Sequence, residues 1–462
     1  MRYYTTIILF ILIIVFLVLL IDFEQLQIDI MTHLVINRGV IHVNCIWYRI
    51  TELFFKDGSG INIYNRIKSR YGDFKKALVF GKECYLVTNI DHIKIILDNS
   101  PDIFNVGELK FTFFKTFMEK NVGVSSGCPW KYRRKINDYA LDTDKLHRFS
   151  KRYNNEINQS LHKIQSNLYL KYGSQRTIDL DFNDLVNIGK HMVLTIVFNN
   201  KNINENFLNI FREANNTHVF SYNKFKVSKE SLDIYHNTLY HHINKPTEGS
   251  LIHLCLQISK YKEVLHQIPH FIFPIFSLYL TTIPRLLILL CSHRLVLSNV
   301  CEEIYKTDKH SIHKLVFLRK CIMETLRLNN PVISMFRTLE KNMQLGEKHF
   351  KKGTQFLILT NPLLRQPFFE MPNKFVPNRW DNLSEIEKSY YSISFSKGPQ
   401  RCPGKELAIF LIQSFVYNFI RIFSIGGGNN LKCTKKIDTN SIPQVINTCN
   451  NKFIIEILDN YY

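Results

Sequence analysis

The sequence predicts a mostly α-helical protein with small β-sheets, an α+β domain over residues 61–462 behind an N-terminal apolar helix. Three observations lead there. Periodic apolar positions run with few breaks from about residue 145 to 300, strand-like patterns are short, and no Gly/Ser/Pro-rich linker or repeat divides the chain after residue 60. With 45% hydrophobic and 13% aromatic residues among 462, the chain can bury one large core.

Ile7 to Ile21 is an unbroken apolar run of fifteen residues, and with Tyr3 to Thr6 the uncharged stretch reaches nineteen. At about 1.5 Å per residue such a helix nearly spans a bilayer core of ~30 Å, so residues 1–21 are expected to be a transmembrane anchor. A cleaved signal peptide is the alternative, but Asp22-Phe23-Glu24-Gln25 offers no small-residue cleavage site. Arg2 precedes the run while Asp22, Glu24 and Asp29 follow it, which by the positive-inside rule would carry the main domain across the membrane. Residues 22–60 read as a connector, apolar enough at Leu34-Val35-Ile36 and Ile46-Trp47 to touch a membrane surface.

Ile61 to Tyr71 reads as an amphipathic helix stopped by Gly72, Ala77–Phe80 and Cys84–Thr88 as strands joined at Gly81-Lys82, and Asp91–Leu97 as a short helix before Pro101. Trp130 and Arg134, i and i+4 at the start of a basic helix with Lys131, Arg133 and Lys135, place an indole N–H and a guanidinium on one face, a pair suited to a carboxylate. Glu324 and Arg327 share a face of a helix ending before Pro331; taken alone they could be a surface ion pair worth at most ~1 kcal/mol. Lys351-Lys352-Gly353-Thr354 and Gln355–Thr360 read as a turn and a strand.

Lys and Arg number 59 against 39 Asp and Glu, a net charge of +20 that could steer an acidic partner or favour anionic lipid. No nucleic-acid-binding motif or clustered basic arm accompanies it, so nucleic acid is not an expected partner. Ten cysteines without a C-x-x-C pair match neither a disulfide framework nor a zinc site.

One of them, Cys402, has a distinctive setting. Phe395-Ser396-Lys397-Gly398-Pro399-Gln400-Arg401-Cys402-Pro403-Gly404 precedes an apolar run from near Leu407 to Ile425. A cysteine on a tight Gly/Pro loop before a helix has its sulfur near unpaired N–H groups and a positive dipole end, which favour thiolate. Gly398 and Gly404 would let the backbone turn sharply, and Phe395 could shield the sulfur from water.

This loop resembles the F-x-x-G-x-x-x-C-x-G haem-thiolate loop of the cytochrome P-450 monooxygenases, and the likeness extends over roughly residues 60–460 through Trp130/Arg134, Glu324/Arg327 and Arg379 in Phe375-Val376-Pro377-Asn378-Arg379-Trp380. The resemblance implies the cytochrome P-450 fold for residues 61–462 and haem b with Cys402 as the iron's axial ligand. It implies that Trp130, Arg134 and Arg337 hold the propionates, with Phe395, Gly398, Arg401 and Gly404 about the cofactor. Glu324, Arg327 and Arg379 would form a buried structural network beneath the haem. Phe111 to Phe117 falls where the family lids its pocket, though it reads equally as core. Anchored relatives usually keep the catalytic domain cytosolic, opposite to the charge rule, so topology stays open.

The sequence departs from the family in two places. The oxygen-activating helix should carry Gly and an acid before Thr; here Ser277-Leu278-Tyr279-Leu280-Thr281-Thr282 offers neither, leaving Thr281 and Thr282 as candidate catalytic hydroxyls before a kinking Pro284. Gln400 stands where the family often has a propionate-binding arginine. The leading expectation is a membrane-anchored monooxygenase acting on a lipophilic substrate, fed electrons by a reductase or ferredoxin-like partner that docks on Lys397, Arg401, Lys405, Lys131, Arg133 and Lys135. The alternatives are an oxygen-independent isomerase or dehydratase of lipid peroxides, and a haem-binding relic with a sensor or scaffold role.

Overall fold

The computed structural model describes residues 71–433, apart from internal stretches of which the longest are 112–117 and 211–227, together with residues 65, 68, 69 and 455–458. The expected anchor at 1–21, the connector at 22–60 and most of the aromatic segment at 111–117 lie outside the described residues. Of the helix expected at 61–71, the described residues are helical, and Gly72, at φ 70°, ends it with its N–H on the Lys68 carbonyl at 3.0 Å.

Strands β1 (Phe74–Val79) and β2 (Lys82–Val87) form an antiparallel hairpin with Phe74 opposite Val87. β1 starts earlier than the apolar pattern suggests because Phe74 is already committed to the interior, packing on His92, Phe350 and Phe356. Helix α1 (Ile90–Asp98) follows, capped by Asn89, whose side-chain oxygen accepts the Asp91 N–H at 2.8 Å. Then come β3 (Phe104–Asn105), α2 (Gly127–Ala140), α3 (Thr143–Tyr172), β4 (Thr177–Leu180) and α4 (Phe182–Val193). Helices α5 (Lys229–Asn244) and α6 (Leu251–Leu256) lead to a rod made of α7 (Tyr261–Ser277), a π-turn at Leu278–Thr282 and α8 (Ile283–Ser292).

Pro284 cannot donate to the carbonyl four residues back, and the π-turn absorbs the defect: the Ile283 N–H reaches five residues back to Leu278. The rod therefore continues where a simple kink was expected.

After α9 (Arg294–Lys306) and α10 (Val316–Leu328) come β5 (Ser334–Leu339), β6 (Met343–Leu345), β7 (Lys348–Phe350), β8 (Gln355–Leu359), α11 (Lys405–Phe423), β9 (Leu431–Cys433) and β10 (Ile455–Leu458). The strands make a five-stranded sheet in the order β1-β2-β8-β5-β3, a three-stranded sheet β4-β10-β9 and the hairpin β6-β7. A small core joins α1 to the first sheet, and a much larger one unites the helices. The rod at 261–292 and α11 are each long and apolar enough to cross a membrane, but they are 67% and 72% buried and form the middle of the helical layer.

Candidate functional site

The loop before α11 is held by its own backbone. The Cys402 N–H donates to the Phe395 carbonyl at 2.7 Å and the Arg401 N–H to the Gly398 carbonyl at 3.0 Å, while Ser396 and Gly398 adopt left-handed φ values of 59° and 70°. A Cβ on Gly398 would lie 2.3 Å from the Leu97 carbonyl oxygen, so the loop packs against the end of α1 through a position only glycine fits. Gly398→Ala is expected to destabilise the protein by about 1–3 kcal/mol, read as a lower urea midpoint; an unchanged midpoint would show that the loop yields instead. Ser394 Oγ donates to the Leu326 carbonyl at 3.3 Å and ties the loop to α10.

Cys402 is solvent-exposed, yet burial among surrounding protein raises its thiol pKa, opposed by the Gly404 N–H, Arg134 and Lys405. A sulfur that is both reachable and enclosed lines a cavity. Desolvation thus works against the Gly404 N–H and the two cations, which favour thiolate.

The cavity is basic. Arg134 on α2 hydrogen-bonds the Arg401 carbonyl and pairs with Asp138 at 2.8 Å. Arg337 on β5 is buried, donates from Nε to Ser100 Oγ at 3.0 Å, and is lowered by burial to about 10. Lys110 is lowered to about 8 by burial and then by Arg337, and His270 on α7 to about 4 by burial, then Lys110 and Arg134. Lys110 therefore feels Arg337, and His270 feels Lys110 and Arg134, across a shared low-dielectric space that keeps the His270 imidazole neutral near pH 7. Among the described residues Lys110 and His270 have no hydrogen bond or ion pair, and both side-chain polar atoms of half-buried Gln400 are enclosed without a partner. Trp130 is buried, with no hydrogen bond to its indole among the described residues.

Neighbouring cations and orphaned amide atoms, close to a thiol, make a pocket suited to a ligand that carries carboxylates and a thiolate-binding metal. Arg401 contributes its carbonyl, while its side chain is exposed. Sequence reasoning did not find Lys110 or His270, because neither belongs to a local pattern. Of the expected basic face, Arg133 is taken up by Glu263 at 3.0 Å and by Ser125, Lys131 lies 3.6 Å from Asp102, and Lys397 lies 3.7 Å from Asp98.

Beneath the loop, Glu324 is fully buried and accepts five hydrogen bonds. Arg327 grips both its oxygens at 2.8 and 2.9 Å, Arg379 Nε reaches Oε1 at 2.9 Å, and the Val376 N–H and Trp380 Nε1 complete the set at 3.1 and 3.0 Å. Phe369 lies against both guanidiniums, 4.8 and 5.7 Å from its ring centre. Trp380 and Phe369 were not anticipated.

Thr281 and Thr282 fall in the π-turn. Thr282 is buried, and Thr281 Oγ1 donates to the Ser277 carbonyl at 2.7 Å.

A sequence model described as Cytochrome P450 matches residues 279–439. Curated relatives include cytochrome P450 4d2 of Drosophila melanogaster, 34% identical over 24% of this chain and 23% of that protein, and cytochrome P450 85A of Phaseolus vulgaris, 30% identical over 29% and 30%. The chain thus aligns with less than a third of these relatives' length. Among solved structures, retinoic acid-bound cyanobacterial CYP120A1 superposes with a TM-score of 0.66 at 18% identity, covering 80% of this chain and 88% of that one, a likeness that shows the fold. Family model, relatives and fold agree in one likeness, to the cytochrome P450 family: the first two over the C-terminal part of the chain and the last over most of it.

Proposed function

We propose that the chain is a haem-thiolate monooxygenase that inserts one oxygen atom from O2 into a lipophilic substrate, using electrons from a partner protein. The observation that carries this reading is the accessible Cys402 sulfur in a cavity edged by Arg134, Arg337 and Lys110. The likeness to the family implies haem with a cysteine thiolate ligand, and the residues present fit it. Cys402 would ligate the iron. Lys110, Arg134, Arg337 and the Trp130 indole would hold the propionates, and Gln400 would meet them with its free amide. Bound haem supplies the oxygen chemistry, the thiolate favouring O–O cleavage.

This chain's own part is positioning. Phe395, Gly398 and Gly404 fix the sulfur's backbone, and Glu324, Arg327 and Arg379 hold the layer behind it. Thr281 and Thr282 are the hydroxyls available for proton delivery. A threonine that donates to a carbonyl still accepts through its lone pairs, so Thr281 keeps part of that role. Residues 1–21 as anchor, 22–60 as connector and a cytosolic domain at 61–462 belong to the same proposal.

Substitution of Lys110 by Gln is expected to weaken haemin binding about tenfold, and Lys110→Gln/Arg337→Gln to weaken it further. Haemin titration followed at the Soret band reads this directly; unchanged affinity would remove both residues from the propionate site.

A second reading rests on Leu278 and Leu280, apolar residues in the π-turn where a glycine and an acid are expected. It keeps the haem and acts on lipid peroxides without O2 or a partner. Substrate-dependent consumption of reducing equivalents with an added reductase supports monooxygenation, peroxide consumption without one supports the second reading, and neither activity leaves a haem-binding sensor or scaffold.

A further inference from the structure

Away from the Cys402 cavity and sharing no residue with it, a cleft of about 560 Å³ lies between α3 and the turn that follows α4. Arg148, Lys151, Arg152, Asn155, Glu156 and Gln159 line it from one face of α3, spaced three and four residues apart. The opposite wall is Thr195, Asn199, Asn200 and Lys201. That wall is shaped by a π-turn at Leu194–Phe198, which ends with Asn199 in the left-handed conformation at φ 49°.

Four cations face one carboxylate, and that carboxylate, Glu156, is already paired with Lys201. Arg152 is preset: its Nη2 donates to the Gly249 carbonyl at 2.7 Å and its guanidinium lies 4.8 Å from the Phe149 ring centre. Thr195 is 3% exposed, lines the cleft, and has a hydroxyl without a hydrogen-bond partner among the described residues. A buried orphan hydroxyl beside an immobilised arginine and further cations is a donor set for a compact polyanion. The volume is that of a small-molecule site.

We propose that this cleft binds a phosphate-bearing small molecule, with Arg148, Lys151 and Arg152 taking the anionic oxygens and Thr195 a further one. The test is calorimetry on the full chain at about 0.15 M salt, where loose association with a basic surface is screened. Two probes are used: inorganic triphosphate, and inositol 1,4-bisphosphate as a soluble lipid headgroup. Saturable one-to-one binding is expected, with Kd raised about tenfold or more in Arg148→Gln/Lys151→Gln, both exposed positions whose change leaves the fold intact. Thr195→Val is expected to weaken binding, while Lys229→Gln, outside the cleft, leaves it within about twofold. A preference for triphosphate identifies a soluble ligand and a preference for the bisphosphate a lipid headgroup. No saturable binding, or equal weakening in Lys229→Gln, overturns the proposal.

Discussion

In the dithionite-reduced protein, carbon monoxide is expected to produce a strongly red-shifted Soret band, and Cys402→Ala is expected to abolish it. The shift would report thiolate ligation of the iron, and Cys402 is the thiol that the loop presents to the basic cavity. Among the described residues, Cys84, Cys255, Cys291, Cys301 and Cys321 are buried in packed interior, where desolvation raises their thiols. None of these five could replace it, and exposed Cys128 and half-buried Cys433 lie outside the loop. Burial raises the Cys402 thiol too, opposed there by the Gly404 N–H, Arg134 and Lys405. The alanine variant keeps Lys110, Arg134 and Arg337, so it is expected to bind haemin weakly while losing the shifted band. A band that survives the substitution would sink the assignment of Cys402, and a wild-type protein that takes up no haem would sink the function built on it.

Glu324→Ala is expected to remove about 3–5 kcal/mol of stability, a large share of the ~5–15 kcal/mol that holds a typical folded protein together. The carboxylate is fully buried, and its loss leaves the Arg327 side chain, itself fully buried, with its charge uncompensated. Arg379, the Val376 N–H and the Trp380 indole lose an acceptor at the same time. The arginines' other bonds, to the carbonyls of Leu364, Pro372, Lys374, Glu370 and Met371, then have to position two like charges with nothing between them. Arg327→Lys is expected to be nearly as damaging, because a single ammonium cannot reproduce a two-pronged grip together with the carbonyl bonds. Urea denaturation and soluble yield read both variants, with the exposed Glu302–Lys306 pair as control: Glu302→Ala should leave the midpoint in place. A Glu324→Ala protein with an unshifted midpoint would show that the network contributes nothing net.

The fold class was legible because helix periodicity and short strand patterns are local, and so was the meeting of Glu324 with Arg327 and Arg379, three residues whose types and order pick them out. Trp380 could have been suspected from its place beside Arg379, but Phe369 and the Val376 N–H could not, since nothing in their surroundings in sequence points at a carboxylate. Lys110 and His270 were hidden for another reason: one abuts an aromatic segment and the other sits among Pro269, Phe271 and Phe273 on an apolar helix. Only the tertiary fold turns both toward the same cavity. Pro284 signalled an interruption of the long helix, but whether a helix kinks or widens to a π-turn depends on the packing around it, here Tyr279 against Gly189 and Phe415. The strand at 177–180 was read as part of a helical region because its partner lies at 455–458, and a four-residue strand carries almost no pattern of its own.

The parallel pairing of β2 with β8 joins Tyr85 to Phe356, some 270 residues apart in the chain. At a synthesis rate of ~5–20 residues per second, the emerging hairpin waits roughly 15–50 s for the strand that completes it. Throughout that interval the edge of β2 presents unpaired N–H and C=O groups, and Phe74, Leu86 and Val87 lack the partners that later cover them. The first sheet of this protein is thus written early and closed late. Ribosome-bound chains halted before residue 356 should carry a hairpin sensitive to protease, one that becomes resistant only when β8 has cleared the exit tunnel.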